Sequence, residues 1–334
     1  MDDVQHMRRA IALAATVRGS TAPNPWVGCV VFPSTHASDV ATFFEGCTAP
    51  PGGPHAEVTA LAHAGEAARG ATLYATLEPC VHHGRTPPCT DAIIGAGVSR
   101  VVIGIQDPDD RVGGRGVAAL REAGIEVTEG VAAAEVTEQL APYIKHRRTG
   151  HPWVVLKMAA SLDGRTAAPD GSSRWITGAA ARRDVHRLRG SSDAVLVGAG
   201  TVRVDDPELT VRLDDGREAG DEQPLRVVLG RAPEAANVQP ALELGGDLGG
   251  VLDELGKRGV LQLLVEGGAT VAHEFHAAGL VDRYVLYLAP ALFGGDDGAP
   301  LFAGPGAGTI ADVWRGRLIS VEQLGEDLRV EVAA

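Results

Sequence analysis

Four side chains in the first half of the chain have the types and the order of a metal site with a proton carrier beside it. His55 and Glu57 lie two residues apart, and Cys80 and Cys89 follow, each directly after a proline. One imidazole and two thiolates are suitable ligands for Zn²⁺, and three protein ligands leave the fourth tetrahedral position open to water. Because zinc lowers the pKa of bound water, this ligand set predicts hydrolytic chemistry at the metal.

Glu57 is the predicted proton carrier. It cannot share a helical stripe with His55, but both side chains can reach a metal held at the start of a helix. A carboxylate placed there takes a proton from water and passes it to a ring nitrogen and a departing amine. Both cysteines are expected to precede helix starts, where the helix dipole favours a thiolate. A structural zinc site, with His82 or His83 as the fourth ligand, is the alternative hypothesis.

Zinc nucleobase deaminases combine His-x-Glu with Pro-Cys-x-x-Cys in this order, although eight residues separate the two cysteines here. Three segments of the first half resemble the bifunctional deaminase-reductase family of riboflavin biosynthesis. They are residues 24–28 (Asn-Pro-Trp-Val-Gly), 54–58 (Pro-His-Ala-Glu-Val) and 76–89 (Thr-Leu-Glu-Pro-Cys-Val-His-His-Gly-Arg-Thr-Pro-Pro-Cys). The long cysteine spacing, with its Gly-Arg-Thr-Pro-Pro insert, separates this family from cytidine and transfer-RNA deaminases.

The resemblance implies a cytidine-deaminase-like α/β/α sandwich for the first half. It implies that this domain hydrolytically deaminates 2,5-diamino-6-ribosylamino-4(3H)-pyrimidinone 5′-phosphate. Asn24 is implied to contact the substrate ring, and His82 is implied to shape the pocket. The sequence departs from the family at Thr48, where many members carry a histidine.

Two glycine-containing turns follow apolar segments in the second half. They are residues 197–201 (Val-Gly-Ala-Gly-Thr) and 264–270 (Leu-Val-Glu-Gly-Gly-Ala-Thr). Glycines at a strand-to-helix turn let backbone N–H groups approach a phosphate. Neither turn matches Gly-x-Gly-x-x-Gly, since position 203 is arginine, so an ordinary Rossmann site is not indicated. Spacing alone leaves nucleotide binding and ligand-free tight turns equally open.

The resemblance to the same family continues through residues 158–165, 173–177, 200–207 and 265–268. It implies a dihydrofolate-reductase-like α/β domain that uses NADPH to reduce the ribosyl group of the deaminated product to ribityl. The implied cofactor contacts are Ala159, Trp175, Thr201, Asp205 and the turn from Gly268 onward. The implied substrate contacts are Ser173, Arg189, Leu209, Arg212 and Glu266, of which the two arginines suit a phosphate. Residues 161–164 (Ser-Leu-Asp-Gly) either anchor the substrate end of this cleft or form an Asp-Gly turn.

One segment of the second half departs from the family. Only about thirty residues separate Gly230 from Leu261, where the family has a longer stretch with an additional strand and helix. Gly230 also stands where an aspartate is common. An alternative hypothesis is therefore an active deaminase with a degenerate, non-reducing second lobe. A non-catalytic zinc-binding protein is disfavoured by Glu57, and an RNA-editing deaminase is disfavoured by the acidic charge and the cysteine spacing.

Helices and strands are expected to alternate along the whole chain, which indicates an α/β architecture. Helices are expected near residues 4–17, 55–67, 117–123, 179–189, 249–258 and 270–278. Strands are expected near residues 27–32, 71–77, 101–105, 125–128, 154–158, 194–197, 225–229, 261–265 and 284–288. The polar stretch 145–152 ends in glycine, histidine and proline. It predicts a boundary between a zinc-dependent deaminase domain, 1–147, and an NADPH-dependent reductase domain, 151–334.

Composition favours a protein that handles small molecules. The 334 residues carry a formal net charge of -13, whereas nucleic-acid-binding proteins usually present a basic face. Four cysteines are too few for a disulfide framework and suit a reducing compartment. No signal peptide and no apolar run of membrane-spanning length is evident, so we expect a cytoplasmic protein without a membrane partner. The expected partners are phosphorylated pyrimidines, and the resemblance adds a homodimer or higher homo-oligomer formed through the reductase domain.

Overall fold

The computed structural model describes residues 2–34, 43–83, 87–109, 113–212, 219–220 and 223–334. The chain divides into two compact units, Met1–Gly150 and His151–Ala334. None of the helices in the described ranges combines the length and the hydropathy that a membrane crossing requires. The stretch 145–152, expected as an irregular boundary, is instead helical through Thr149, and Gly150 ends that helix with a left-handed φ of 78°.

The first unit is built on a five-stranded sheet. Its strands are β1 (Gly28–Phe32), β2 (Phe44–Cys47), β3 (Thr72–Leu77), β4 (Arg100–Ile105) and β5 (Glu126–Glu129). The order across the sheet is β2-β1-β3-β4-β5, in which β1 is antiparallel to both neighbours and β3, β4 and β5 are parallel. β4 is an apolar run after Arg100, and β3 is buried from Leu73 to Leu77, because helices cover the sheet on both faces.

Six helices accompany this sheet in the described part of the first unit. They are α1 (Asp3–Ala15), α2 (Ala56–Ala64), α3 (Cys89–Ala96), α4 (Arg115–Glu122), α5 (Ala133–Gln139) and α6 (Ala141–Thr149). α1 and α5 contact each other on one side of the sheet, whereas α2 and α3 contact each other on the other side. Two glycines permit close packing: a Cβ on Gly28 would lie 1.9 Å from the Ala10 carbonyl oxygen, and one on Gly46 would lie 2.3 Å from that of Ala56. The expected α/β/α sandwich is confirmed.

The second unit is built on an eight-stranded sheet with a small two-stranded sheet beside it. The strands are β6 (Trp153–Ser161), β7 (Arg165–Ala167), β8 (Ala194–Gly198), β9 (Leu225–Leu229), β10 (Leu242–Leu244), β11 (Gln262–Val265), β12 (Arg283–Ala289), β13 (Ala299–Pro300), β14 (Arg317–Leu324) and β15 (Asp327–Ala333). The large sheet has the order β10-β9-β8-β11-β6-β12-β15-β14 and is parallel from β10 to β12. β15 is antiparallel to both β12 and β14.

Helices cover this sheet on both faces. They are α7 (Ala179–Gly190), α8 (Ala199–Asp205), α9 (Leu248–Lys257) and α10 (Ala269–Ala277). One apolar core contains Leu196, Leu252 and Phe275, and a second contains Val197 and Tyr287. Because side chains alternate between faces along β8, neighbouring residues of one strand enter different cores.

The shortened segment after Gly230 retains regular structure. It contains β10, which continues the parallel sheet beyond β9, and α9, which confirms the helix expected near residues 249–258. Asp247 caps α9 by accepting a hydrogen bond from the Gly250 N–H. The C-terminal hairpin of β14 and β15 was not predicted, because its strands do not show the apolar pattern of a buried strand.

Candidate functional site

Three elements of the first unit bring the predicted zinc ligands together. His55 is the N-cap residue of α2, Cys80 follows the carboxyl end of β3, and Cys89 is the first residue of α3. The His55 Nδ1 lies 3.2 Å from the Cys89 Sγ and 3.6 Å from the Cys80 Sγ. One ligand atom from each of the three residues lies within 4.8 Å of the others.

These separations fit a tetrahedral zinc ion. Bonds of about 2.1 Å to nitrogen and 2.3 Å to sulfur place the two kinds of donor about 3.6 Å apart at a tetrahedral angle. His82 and His83 are exposed and do not belong to this cluster, so the described residues offer three ligands, the number expected of a catalytic site. A structural site completed by either histidine is therefore not supported.

The helix expected after Cys80 is absent through residue 83, which corrects that prediction. The helix dipole reaches Cys80 by another route, since the backbone N–H of Cys89, the first of α3, donates to the Cys80 Sγ at 3.4 Å. Hydrogen bonds from Cys89 and then His55 lower the pKa of the Cys80 thiol to about 4, against the effect of burial. A thiolate is the form that binds a metal.

Glu57 enters the same site from the first turn of α2. Its side chain is buried, at 4% exposure, and burial raises its pKa above the usual value. It lines a cavity of about 330 Å³ together with Asn24, His55, Cys80 and His82. All the residues expected at the first site thus line one cavity, except Cys89, which is in contact with the His55 ring but is not part of the lining.

Thr48, the position of departure from the family, also lines this cavity. Its side chain is 4% exposed, and its hydroxyl accepts a hydrogen bond from the Val27 N–H at 3.0 Å. The Thr48 N–H in turn donates to the Val27 carbonyl oxygen. Threonine therefore ties the loop before α2 to the start of β1 and keeps this wall of the cavity closed.

The second site is a cleft of about 560 Å³ in the second unit. Its lining includes the ten residues that the resemblance implied, namely Ala159, Ser173, Trp175, Arg189, Thr201, Asp205, Leu209, Arg212, Glu266 and Gly268. They come from separate strands, helices and loops spread over more than a hundred residues of sequence. The fold therefore brings together residues that no local sequence motif connects.

An ion cluster lies in this cleft. The Glu266 carboxylate accepts hydrogen bonds from the Arg189 Nε at 2.6 Å and Nη2 at 3.1 Å, and the Lys157 Nζ lies 3.6 Å away. Burial alone would raise the pKa of Glu266, but the charges of Arg189 and Lys157 outweigh it and lower the pKa to about 2. Glu266 is therefore an anion at neutral pH, held between two cations.

The expected cofactor residues occupy the rest of the cleft. Trp175 is 70% exposed, and the guanidinium groups of Arg182 and Arg174 lie 4.6 and 5.9 Å from its ring centroid, so the ring is accessible to a ligand beside two cations. Gly268 is the N-cap of α10, and its N–H donates to the Thr201 Oγ1 at 3.2 Å. The first N–H groups of a helix lack intrahelical acceptors, so this end of α10 suits a pyrophosphate.

Comparison with known proteins gives the family of each unit. Residues 1–105 match the family described as the cytidine and deoxycytidylate deaminase zinc-binding region, and residues 152–330 match the RibD C-terminal domain. The riboflavin biosynthesis protein RibD of Escherichia coli (strain K12) is 40% identical over 366 residues, covering 98% of each chain. The chain belongs to the RibD family. RibD of Mycobacterium tuberculosis (strain H37Rv) is 43% identical over 338 residues, covering 98% of this chain and 96% of that protein.

Solved RibD structures have the same fold over the whole chain. Acinetobacter baumannii RibD, form 1, has a TM-score of 0.90 at 39% identity, covering 99% of this chain and 98% of that one. The Thermotoga maritima diaminohydroxyphosphoribosylaminopyrimidine deaminase/5-amino-6-(5-phosphoribosylamino)uracil reductase has a TM-score of 0.87 at 35% identity, with the same coverage. The prediction of a deaminase domain joined to a RibD reductase domain, with Zn²⁺ and NADPH as cofactors, is confirmed.

The degenerate-lobe hypothesis is not favoured. The reductase-type domain matches its family over residues 152–330, and β10 and α9 occupy the shortened segment. The alignment with the M. tuberculosis RibD spans 338 positions, against 366 for the E. coli protein, so a comparably short chain occurs in a curated relative.

Sequence reasoning missed several residues that line the RibD-type sites. At the first site the Tyr143 hydroxyl donates to the Asp107 carboxylate at 3.2 Å, and the Arg147 Nη2 donates to the Pro23 carbonyl beside Asn24. At the second site it missed Lys157. The one signal available for Lys157 was an ionisable residue within the apolar strand β6.

Residues 161–164 form a turn. The Ser161 hydroxyl donates to Asp163 at 2.5 Å, and the other Asp163 oxygen accepts from the Gly294 N–H at 2.8 Å. The Ser161 and Asp163 side chains stabilise the conformation of the turn and its neighbouring backbone, and none of the four residues lines the cleft. The geometry therefore favours the Asp-Gly turn over the substrate anchor.

Proposed function

We propose that the chain catalyses both reactions named for the T. maritima relative: deamination of the diaminohydroxyphosphoribosylaminopyrimidine, and reduction of 5-amino-6-(5-phosphoribosylamino)uracil. The observation that carries this proposal is the His55, Cys80 and Cys89 cluster with Glu57 in the same cavity. The cleft that gathers all ten expected reductase residues supports the second reaction.

In the deaminase cavity, Glu57 is the proposed catalytic residue. Zinc, when bound by His55, Cys80 and Cys89, supplies the Lewis acid that activates water. The Glu57 carboxylate would take one proton from the attacking water and pass it to the ring nitrogen. It would then move the remaining proton of the new hydroxyl to the departing amine, so that the C–N bond breaks, ammonia leaves and a carbonyl remains. The half-buried Asn24 and the exposed His82 are proposed to orient the ring from the cavity wall.

Glu78 stabilises the backbone around this cavity through hydrogen bonds. Its buried carboxylate accepts hydrogen bonds from the backbone N–H groups of Asp107, Gly114 and Val117 at 3.1, 2.9 and 3.0 Å. Two of these groups belong to the start of α4. Glu78 thereby joins the end of β3, two residues before Cys80, to a fixed helix terminus.

In the reductase cleft, the protein's contribution is to position the two reactants and to supply a polar environment. NADPH, when bound, supplies a hydride for the ribosyl carbon. Arg189 uses its Nε and Nη2 on Glu266 and its Nη1 on the Thr210 carbonyl oxygen. We therefore assign Arg189, which is partly buried, to holding Glu266. We assign Arg212, which is exposed and pairs only with the exposed Glu208 carboxylate among the described ion pairs, to the substrate phosphate.

Mass spectrometry of the product from the diaminopyrimidinone ribotide, with and without NADPH, tests this proposal. Replacement of the amine by oxygen is expected in both samples, and a gain of two hydrogens is expected only with NADPH. Deamination without the NADPH-dependent gain would remove the reductase assignment. Unchanged substrate with zinc-loaded protein would remove the deaminase assignment, and the already deaminated substrate with NADPH would then test the reductase assignment separately.

We also propose that two copies associate through the reductase domain. β14 is the edge strand of the large sheet, and it exposes Leu318 and Val321 at 59% and 54%. Exposed apolar side chains along an unpaired strand edge are a common site of self-association. Sedimentation of the wild type as a dimer or larger, and of Val321→Glu as a monomer, would support this assignment.

The remaining partners follow from charge and thiol chemistry. A net charge of -13 supports small phosphorylated pyrimidines, held by a few arginines, rather than nucleic acid. None of the four cysteines forms a disulfide, which supports a reducing, cytoplasmic location. Fractionation of cells that express the tagged chain would test that location.

A further inference from the structure

A cavity of about 730 Å³ lies at the carboxyl ends of three neighbouring parallel strands of the second unit. Glycines line it at each strand end: Gly198 ends β8, Gly230 follows β9 and Gly245 follows β10. In open α/β sheets, ligands bind outside the carboxyl ends of the strands. Because glycine has no side chain, the backbone forms much of this wall and a ligand can approach it closely.

This cavity continues the reductase cleft. The two share Thr201, Asp205, Gly268 and Ala269 in their linings. The cleft holds the Lys157 and Glu266 cluster where reduction takes place, and the N-terminus of α10 lies where the two volumes meet. A dinucleotide with its nicotinamide in the cleft would have its pyrophosphate near the start of α10 and its adenosine half in this cavity.

The charged side chains that line this cavity bear on its preference for NADPH or NADH. Among the described residues that line it, Arg203 on α8 is the one cation. Asp205 and Glu274 also line the cavity, but Arg203 and Asp205 are two positions apart on α8 and do not face each other. Where a dinucleotide site prefers NADH, an acidic side chain often accepts a hydrogen bond from the ribose 2′-hydroxyl, whereas an arginine accommodates the 2′-phosphate of NADPH. At Gly230 no side chain is present to play the acidic role.

We propose that Arg203 binds the 2′-phosphate of NADPH and thereby selects NADPH over NADH. This inference rests on the proposed reductase function. Arg203 acts on the adenosine half of the cofactor, away from the reacting atoms, so it sets cofactor affinity and leaves the chemical step unaltered. A guanidinium paired with a phosphate is a charge-assisted, bidentate contact, whereas the 2′-hydroxyl of NADH offers it only a neutral partner.

Calorimetry with adenosine fragments tests this contact without turnover. The full-length, zinc-loaded chain is titrated with 2′,5′-ADP and with 5′-ADP, which differ only in the 2′-phosphate. Arg203→Gln is expected to weaken 2′,5′-ADP binding on the order of 10- to 100-fold, with little change for 5′-ADP. Arg203→Lys, which keeps the charge, is expected to retain part of the preference. Arg231→Gln, an exposed arginine outside the cavity lining, is the matched control and is expected to bind as the wild type does.

The outcomes separate this inference from the proposed function. If the wild type prefers 2′,5′-ADP and Arg203→Gln keeps that preference, Arg203 does not bind the 2′-phosphate. If the preference is lost in Arg231→Gln and kept in Arg203→Gln, the phosphate lies on the other side of Gly230, and the assignment is wrong. If the wild type binds neither fragment and NADPH adds no hydrogen to the product, the reductase function and this inference both fail. If NADPH does add hydrogen, absent fragment binding overturns the inference alone.

Discussion

The two sites of this chain differ in how far apart their functional residues lie in the sequence. In the first unit, the proposed zinc ligands and Glu57 lie within 35 residues of sequence, and each side chain has one proposed chemical task. In the second unit, ten expected residues are spread between Ala159 and Gly268, and their proposed role is mainly to position the reactants. The comparison shows why a metal site can be found from residue types and spacing, whereas a hydride-transfer cleft needs the fold before its members can be recognised.

Removing zinc should abolish the activity of the first site and leave the activity of the second site unchanged. We expect chelation to reduce deamination by more than about 1,000-fold, because water is then no longer activated. NADPH-dependent reduction of the already deaminated substrate should be unchanged, since the reductase cleft contains no metal cluster among its described residues. Ammonia release and NADPH absorbance measure the two activities in one sample.

Cysteine variants provide the matched control for chelation. Cys89→Ala should lose bound zinc by elemental analysis, and Cys47→Ala, which is outside the ligand cluster, should keep it. Loss of zinc from Cys47→Ala but not from Cys89→Ala would refute the ligand assignment.

Glu57→Gln tests the proton carrier separately from the metal. The amide keeps the size of the side chain but cannot carry a proton, so deamination should fall by about 10²- to 10⁴-fold while zinc content stays at the wild-type level. Reduction of the deaminated substrate should continue. Glu66→Gln, an exposed residue beyond the end of α2, is the control for mutating a glutamate near that helix. Full deaminase activity in Glu57→Gln would show that another group moves the proton.

Glu266→Gln makes the complementary change in the second site. It leaves Arg189 and Lys157 without their shared anion, and a displacement of about 1 Å in a positioning group costs roughly 100-fold in rate. Because the pKa of Glu266 is about 2, the carboxylate is ionised throughout the neutral range, so the loss should be the same at every pH from about 5 to 8.

Deamination is the internal control for Glu266→Gln and should not change. Glu254→Gln breaks a surface pair with Arg258 and should leave reduction intact. A steep pH dependence of the Glu266→Gln defect would contradict the picture of a permanently ionised Glu266.

The same contrast explains what sequence could predict. The strands β4, β8 and β11 were located within a residue or so because buried parallel strands are short apolar runs, and β3 was located from its alternating, threonine-rich pattern. α6 was missed because its last two turns are polar, and the β14–β15 hairpin was missed because its side chains are largely exposed. Asp107 and Tyr143 reach the deaminase cavity from segments that follow the zinc motif, and no spacing rule connects them to it.

We expect a smaller difference between the two units in how their folding stability responds to acid. His6 in the first unit is 3% exposed among Phe32, Phe43 and Tyr74, and neither ring nitrogen has a hydrogen-bond partner. Burial lowers its pKa below 6.5. The unfolded chain therefore binds a proton more readily than the folded one, so this stability is fully present above about pH 6.5 and is lost as the pH falls below it.

His6→Phe should therefore reduce the drop in thermal unfolding temperature of the first unit between about pH 7 and pH 5.5, by a few degrees at most. In the second unit, the His276 Nδ1 and the Tyr284 hydroxyl are 2.7 Å apart, so that imidazole has a polar partner. His276→Phe, the matched control, should leave the pH response of the first unit as it is in the wild type. Differential scanning calorimetry at both pH values measures the two responses. An unchanged pH response in His6→Phe would mean that other groups set the acid sensitivity of the first unit.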